Sequence, residues 1–130
     1  MGGITAILPA YNEEVSIGSV VLRARTYADR VIVIDDGSLD RTVEVAELAG
    51  AEVIRHARNR GKGAALKTGF GALNGSDIIV TIDTDGQHDP ADIPQLVEPI
   101  RTGEADMVNG SRYMNGNNIV LNCFIMSLGS

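Results

Sequence analysis

Two carboxylates, Asp83 and Asp85, stand two residues apart directly after the apolar run from Ile78 to Ile82. At this spacing they repel each other unless a cation lies between them or one of them takes a proton. Oxygen ligands of this kind suit Mg²⁺ or Mn²⁺, which keep several waters and are completed by substrate phosphates. Gln87 offers a further neutral oxygen, and His88 is either another ligand or a capping or packing residue. The pattern predicts a divalent metal site around the two carboxylates.

A second carboxylate pair, Asp35 and Asp36, follows the apolar run from Val31 to Ile34. Acidic residues after the strands of nucleotide-binding sheets accept hydrogen bonds from a ribose hydroxyl, and a base N–H is an equally suitable donor. Gly37 then begins a turn that leads into a helix cap. We therefore expect one carboxylate of the pair to bind a ligand and the other to hold the loop.

Basic residues are concentrated between the two acidic pairs. Five of the 11 lie within thirteen positions: Arg55, Arg58, Arg60, Lys62 and Lys67. Gly61 and Gly63 accompany them at the predicted start of a helix, where backbone N–H groups favour anions. The segment is either an anion-binding loop or a solvated basic face that balances nearby carboxylates. With two histidines and one cysteine, spacing indicates no Ser-His-Asp or Cys-His pairing.

Composition bounds the class of protein. The chain has 130 residues, which fits one domain, and 44% of them are hydrophobic, which is enough for a folded core. A net charge of −6 argues against a broad nucleic-acid-binding surface. The single cysteine, Cys123, excludes an internal disulfide and favours a reducing, cytoplasmic compartment. No apolar stretch approaches the roughly 18 to 20 residues that span a bilayer.

The elements that position these residues alternate between strands and helices. Five short apolar runs predict strands: Ile4 to Pro9, Val31 to Ile34, Ala51 to Ile54, Ile78 to Ile82 and Asp106 to Asn109. Between them apolar residues recur with helical period, the last such set running from Ile93 to Ile100, and Asn12 is predicted to cap the first helix. This alternation predicts an α/β fold, a parallel sheet with helices on both faces. Ligands of such sheets bind outside the carboxyl ends of the strands, which is where the acidic pairs lie.

Several motifs together resemble the inverting family-two glycosyltransferases, especially the branch of dolichyl-phosphate mannose synthase and related polyprenyl-phosphate glycosyltransferases. The segments that carry the resemblance are Pro9-Ala10-Tyr11-Asn12-Glu13, Asp35-Asp36-Gly37-Ser38-x-Asp40-x-Thr42, Arg60-Gly61-Lys62-Gly63, Asp83-x-Asp85-Gly86-Gln87-His88-Asp89-Pro90 and Gly110-Ser111-Arg112. Their order and spacing match across roughly residues 3 to 113. The resemblance implies the GT-A fold, a Rossmann-like and mostly parallel sheet that binds a nucleoside-diphosphate sugar.

The resemblance also implies roles for individual residues. The positions expected around the nucleoside are Pro9, Tyr11, Glu13, Ile34 and Asp36, with Asp36 on the base. Asp83 and Thr84 would meet the ribose and diphosphate, and Asp85 and Gln87, with Asp83 nearby, would hold Mg²⁺ or Mn²⁺. Arg112 matches the arginine that faces the donor diphosphate and the acceptor phosphate. Asp85 and Arg112 are thus the expected catalytic residues.

The activity implied is transfer of sugar from a UDP- or GDP-sugar to a polyprenyl or dolichyl phosphate. An acceptor phosphate is already an anion near neutral pH, so it needs no general base. Such an acceptor implies a cytoplasmic protein that is peripheral to a membrane surface. A sugar nucleotidyltransferase is disfavoured, because the first strand is followed by Pro9-Ala10-Tyr11-Asn12 where that class has a glycine-rich loop.

The C-terminal segment departs from the family pattern. All 11 basic and 17 acidic residues lie in positions 1–112, and none lies in 113–130. We expect a nucleotide-sugar-binding domain over 1–112 and an uncharged tail over 113–130, an interrupted acceptor-side segment that leaves the fold C-terminally truncated. The alternative is a short helix or strand that packs on the same domain, or on a second copy to form a homodimer. The alternative function is a non-catalytic, truncated nucleotide-sugar-binding module.

Overall fold

The structure, a computed structural model, describes residues 3–73, 78–82, 107–109 and 124–127. Its elements in chain order are β1 (Ile4–Ala10), α1 (Ile17–Tyr27), β2 (Arg30–Asp35), α2 (Thr42–Leu48), β3 (Glu52–Arg55), α3 (Lys62–Gly71), β4 (Ile78–Thr81), β5 (Met107–Asn109) and β6 (Phe124–Ser127). The six strands form one sheet in the order β3-β2-β1-β4-β6-β5. The five predicted strands are all present.

The sheet is mostly parallel, as predicted. β1 lies at its centre and pairs in parallel with β2 and β4, while β2 pairs in parallel with β3. β6 runs antiparallel to both β4 and β5. The carboxyl ends of β1, β2, β3 and β4 therefore meet at one edge, which we call the carboxyl edge.

Alternate residues of the central strands bury themselves on opposite faces of the sheet. Leu8 and Val33 lie in an apolar cluster with residues of α1 and α2. Ile7 and Ile34 lie in a second cluster with residues of α3. At Gly69 an added Cβ would stand only 2.7 Å from the Ile7 side chain, so α3 packs closely on β1. Helices cover both faces, which explains why the strands are continuous apolar runs.

The prediction that Asn12 caps the first helix is wrong. α1 begins at Ile17, and Ser16 occupies the N-cap position. The Asn12 side chain instead accepts a hydrogen bond from the Leu39 N–H at 2.8 Å, across to the loop after β2. Asn12 has a φ of +52°, a left-handed conformation that asparagine adopts more readily than most residues. The amide oxygen of Asn12 could cap a helix, but the N–H group that it accepts from is 27 residues away in the sequence.

The uncharged tail contributes a strand, β6, that was not among the five predicted strands. β6 lies within residues 113–130 and pairs with β4 and β5 inside the sheet. This is the alternative in which part of the tail packs as a strand on the same domain. The helix predicted from Ile93 to Ile100 lies outside the described residues. None of the helices in the described ranges is long and apolar enough to cross a membrane.

Candidate functional site

The carboxyl edge brings together the loops after β1, β2 and β3. Pro9 of β1 is half-buried and pairs in register with Ile34 of β2. Tyr11 follows β1 and is 43% exposed. Ile34 is fully buried in the cluster that packs against α3. Of the residues expected around a nucleoside, these and Glu13 and Asp36 all lie in the described ranges.

The predicted metal and diphosphate residues lie outside the described residues. They are Asp83, Thr84, Asp85, Gln87 and Arg112. The first four follow β4, whose described strand ends at Thr81 beside the centre of β1. Within the described ranges, no group of three or more His, Cys, Asp or Glu side chains is arranged to hold a metal ion.

The side chain of Asp36 accepts three hydrogen bonds at the carboxyl edge. Its Oδ1 accepts from His56 Nδ1 at 2.8 Å and from the Arg60 N–H at 2.9 Å, and its Oδ2 accepts from the Gly61 N–H at 2.8 Å. The residue is only 5% exposed. Burial alone would raise its pKa, but the hydrogen bonds from His56, Arg60 and Gly61 outweigh burial and hold the pKa below its ordinary value. Asp36 is therefore an anion near neutral pH.

His56 is a site residue that the sequence prediction missed. It follows β3 directly and is 6% exposed, and its Nε2 lies 2.8 Å from Thr68 Oγ1 on α3. Together Asp36, His56 and Thr68 form a buried hydrogen-bonded array, which we call the Asp-His-Thr array. The available signal was position alone, since His56 follows its strand at the same edge as Asp36. No local pattern links residues 20 apart.

Asp35 holds the turn after β2. Its Oδ2 accepts from the Ser38 N–H at 3.2 Å and lies 3.8 Å from Arg55 Nε. The side chain is fully buried, and its Oδ1 has no hydrogen-bond partner in the described part of the chain. Both members of the acidic pair thus hold loops. Asp36 also retains acceptor capacity, because Oδ2 takes one donor and a carboxylate oxygen can accept two.

The loop after β2 also fixes the loop after β1. Ser38 Oγ accepts from the Asn12 N–H, and Thr42 Oγ1 accepts from the Glu13 N–H, each at 2.8 Å. Asp40 accepts from the Glu14 N–H at 3.3 Å and from the N–H and hydroxyl of Thr42. Ser38 and Thr42 are buried. The polar residues of the motif after β2 therefore set the backbone path next to Tyr11 and Glu13.

The basic segment divides into different environments. Arg60 and Lys67 line an open pocket of about 550 Å³ along α3, whose lining residues are Arg60, Gly63, Ala64, Lys67 and Thr68. Arg55 is the last residue of β3. Its Nε lies 3.8 Å from Asp35 Oδ2, and its side chain is 63% exposed. The predicted helix start is confirmed, because α3 begins at Lys62 after Gly61, which has a φ of +96°. Two cations thus flank one pocket beside the Asp-His-Thr array.

Comparison with known proteins gives consistent matches. The family model "Glycosyl transferase family 2" matches residues 5–122. The chain is 38% identical over 133 residues to UDP-N-acetylglucosamine--dolichyl-phosphate N-acetylglucosaminyltransferase of Methanococcus voltae, covering 86% of this chain and 53% of that protein. It is 34% identical over 124 residues to dolichol-phosphate mannosyltransferase of Pyrococcus furiosus, covering 89% of this chain and 35% of that protein. The chain thus spans about half or less of these relatives' lengths.

A solved structure shows the same likeness in three dimensions. Glucosyl-3-phosphoglycerate synthase from Mycobacterium tuberculosis, in complex with Mn²⁺, UDP-glucose and phosphoglyceric acid, is 37% identical with a TM-score of 0.72. The match covers 82% of this chain and 42% of that chain. With the strand order described above, it confirms the GT-A fold that the motifs imply.

Proposed function

Because the chain belongs to glycosyl transferase family 2, we propose that it binds a UDP- or GDP-sugar together with Mg²⁺ or Mn²⁺ and transfers the sugar to a polyprenyl or dolichyl phosphate. The observation that carries the proposal is Asp36, a buried and ionised carboxylate at the carboxyl edge with one acceptor position still open on Oδ2. A nucleobase N–H is a suitable donor for that position. Pro9, Tyr11 and Glu13 then form the neighbouring wall of the nucleoside site.

The proposed metal site uses the residues that follow β4. Asp83, Asp85 and Gln87 supply hard oxygen ligands, which suit Mg²⁺ and Mn²⁺. When bound, the metal neutralises charge that develops on the departing diphosphate. Thr84 meets the ribose and diphosphate in this proposal, and Arg112 faces the diphosphate and the acceptor phosphate. The Mn²⁺ in the glucosyl-3-phosphoglycerate synthase complex supports a metal-dependent reaction.

The proposed acceptor follows from chemistry and from the relatives' names. A lipid phosphate oxygen is an anion near neutral pH, so it attacks the anomeric carbon without a general base while the bond to the diphosphate breaks. Two relatives are named for dolichyl-phosphate or dolichol-phosphate acceptors. This acceptor would place the protein at the cytoplasmic surface of a membrane. A homodimer through the tail stays a prediction, which light scattering tests.

Isothermal calorimetry with UDP and with GDP, each with and without Mn²⁺, tests donor and metal binding. We expect one nucleotide to bind in a Mn²⁺-dependent way and Asp85→Ala to weaken that binding about tenfold or more. Glu47→Ala is the matched control, because Glu47 is an exposed carboxylate on α2. The proposal fails if the wild type binds neither nucleotide or if Asp85→Ala binds as the wild type does.

A transfer assay separates the enzyme from the alternative, a non-catalytic binding module. The purified chain is given the donor sugar of the nucleotide it binds and either a polyprenyl phosphate or phosphoglyceric acid. Transfer to the polyprenyl phosphate supports the proposed acceptor, and transfer to phosphoglyceric acid alone contradicts it. Nucleotide binding with no transfer to either favours the binding module, which is relevant because the chain spans about half or less of its relatives.

A further inference from the structure

The Asp-His-Thr array joins two parts of the carboxyl edge that are far apart in sequence. Asp36 follows β2, and Thr68 belongs to the second turn of α3. His56 bridges them through both ring nitrogens, each at 2.8 Å from its partner. Asp36 and His56 are each less than a tenth exposed, so water does not compete freely for these hydrogen bonds. The ring therefore fixes the carboxylate relative to the helix.

Hydrogen-bond chemistry determines which way the ring donates. A carboxylate only accepts, so Nδ1 must carry the hydrogen that faces Asp36. Thr68 Oγ1 also lies 3.0 Å from the Ala64 carbonyl oxygen. In one arrangement the Thr68 hydroxyl donates to the Ala64 carbonyl and accepts from Nε2–H of His56. In the other, the hydroxyl donates to Nε2 and makes no hydrogen bond to the carbonyl. In both arrangements the Nδ1–H to Asp36 bond is the same.

The two oxygens of Asp36 are used unequally. Oδ1 takes two donors, His56 Nδ1 and the Arg60 N–H, and its acceptor capacity is filled. Oδ2 takes the Gly61 N–H alone. The His56 bond thus fills the second acceptor position of Oδ1 and leaves the open position on Oδ2.

The loop that carries His56 is itself held firmly. At Gly37, which has a φ of +82°, an added Cβ would stand 2.6 Å from the Arg58 carbonyl carbon and from the Asn59 nitrogen. The turn after β2 and the loop after β3 are therefore in direct backbone contact. Removing His56 would open an acceptor position on Oδ1, while the Arg60 and Gly61 N–H groups still hold the loop.

We propose that His56 is a positioning residue of the donor site, which holds Asp36 Oδ1 so that Oδ2 accepts the N–H of the nucleobase. The proposal rests on the proposed function, in which Asp36 meets the base. It predicts that His56 affects recognition of the base N–H and leaves binding of the diphosphate unchanged. A purely structural role for His56 would weaken all ligands alike.

Base-methylated nucleotides measure this distinction. The probes are UDP and N3-methyl-UDP, or GDP and N1-methyl-GDP if the wild type prefers GDP, with Mn²⁺ pyrophosphate as the ligand that lacks a base. We expect the wild type to bind the unmethylated nucleotide about tenfold more tightly than the methylated one, and His56→Leu to lose most of that preference. His56→Asn keeps an N–H that can reach Asp36, so it should stay within about threefold of the wild-type preference. Pyrophosphate affinity should be the same in all three proteins.

The outcomes separate this proposal from the proposed function. If the wild type binds neither nucleotide, both fail. If the wild type prefers the unmethylated nucleotide and His56→Leu retains that preference, only the positioning role is overturned. An equal loss of pyrophosphate affinity in His56→Leu also overturns it, because the role would then be structural.

A measurement on the wild type covers the case in which His56→Leu does not fold. In protein with ¹⁵N-labelled histidine, the Nδ1 resonance of His56 is assigned by comparison with His88→Gln. A base N–H that binds Oδ2 draws charge from Asp36, so the preferred nucleotide should shift this resonance. Mn²⁺ is replaced by Mg²⁺ here to avoid paramagnetic broadening. A resonance that shifts equally with pyrophosphate, or with neither ligand, contradicts the proposal.

Discussion

The sharpest stability prediction compares two adjacent buried carboxylates that differ in their hydrogen bonds. Asp36→Asn replaces a carboxylate that accepts three N–H groups, whereas Asp35→Asn replaces one that accepts a single N–H. The two substitutions have the same size and remove the same charge. Both side chains are almost fully enclosed, with 5% and 0% exposure. Asp35→Asn also gives up the 3.8 Å approach of Arg55 Nε, so a larger loss in Asp36→Asn reports the hydrogen bonds to Asp36.

The expected cost follows from those partners. A hydrogen bond to an ionised group contributes about 1.5–3 kcal/mol and a neutral one about 0.5–1.5 kcal/mol. Asp36→Asn converts the bonds to neutral ones and turns an amide N–H₂ toward at least one backbone or ring donor, so we expect a loss of about 3 kcal/mol. Asp35→Asn can keep the Ser38 bond and places its N–H₂ where Oδ1 has no described partner. We expect that variant to lose less than about 1 kcal/mol.

Urea unfolding at pH 7, followed by circular dichroism, measures both free energies of unfolding. The predicted result is a midpoint shift for Asp36→Asn with an unchanged m-value and a much smaller shift for Asp35→Asn. If Asp35→Asn costs as much as Asp36→Asn, the hydrogen bonds to Asp36 do not hold the loop after β3, and the reasoning is refuted.

Further predictions concern pH, a turn and the contact between loops. Folding lowers the pKa of Asp36, so its contribution to stability is present above its ordinary pKa of 3.8 and is lost as pH falls through the folded pKa. The stability gap between wild type and Asp36→Asn should therefore shrink as pH falls below about 4, which urea melts at a series of pH values from about 5 downward measure. Gly37→Ala combines positive-φ strain with a Cβ that meets backbone at 2.6 Å, so it should lose more than about 3 kcal/mol by thermal unfolding. Gly61→Ala, whose Cβ meets nothing within 4 Å, should lose only the roughly 1–3 kcal/mol of backbone strain. Equal losses would contradict the contact. Thr42→Val removes the hydroxyl that accepts the Glu13 N–H, so it should lower the free energy of unfolding by about 1–3 kcal/mol and weaken nucleotide affinity in calorimetry. Thr26→Val, on the exposed side of α1, is the control. It should change the free energy of unfolding by less than about 0.5 kcal/mol and bind the nucleotide as the wild type does.

Periodicity predicted most of the described architecture. The runs that form β1 to β5 are short and continuously apolar because both faces of the sheet are covered. Burial on both faces is therefore visible directly in the sequence. β6 was not predicted, because three apolar residues, Phe124 to Met126, fit a short helix as well as a strand, and the pairing of β6 with β4 is non-local. Strand pairing of this kind depends on distant partners that a local pattern does not contain.

In the candidate site, too, nearby sequence predicted some residues, whereas contacts between residues far apart in the sequence were missed. The place of the acidic pair after a strand predicted that one carboxylate binds a ligand, and the family resemblance selected Asp36. The structure adds that Asp36 is also the anchor of the loop after β3. The role of Asn12 was misjudged because an amide oxygen that could cap a helix satisfies the Leu39 N–H across the sheet edge instead. His56 was missed because the sheet, and not the sequence spacing, brings it to Asp36.

Amide chemical shifts test the central claim, binding of a nucleotide at the carboxyl edge, most directly. The ¹⁵N-labelled chain is titrated with Mg²⁺ and the nucleotide, UDP or GDP, that it binds. The account predicts that the amides of Tyr11, Glu13 and Gly61 shift with saturation, and that those of Asp29 and Ala51, at the opposite edge of the sheet, do not. Shifts confined to the opposite edge, or none at any of these amides, would contradict the account.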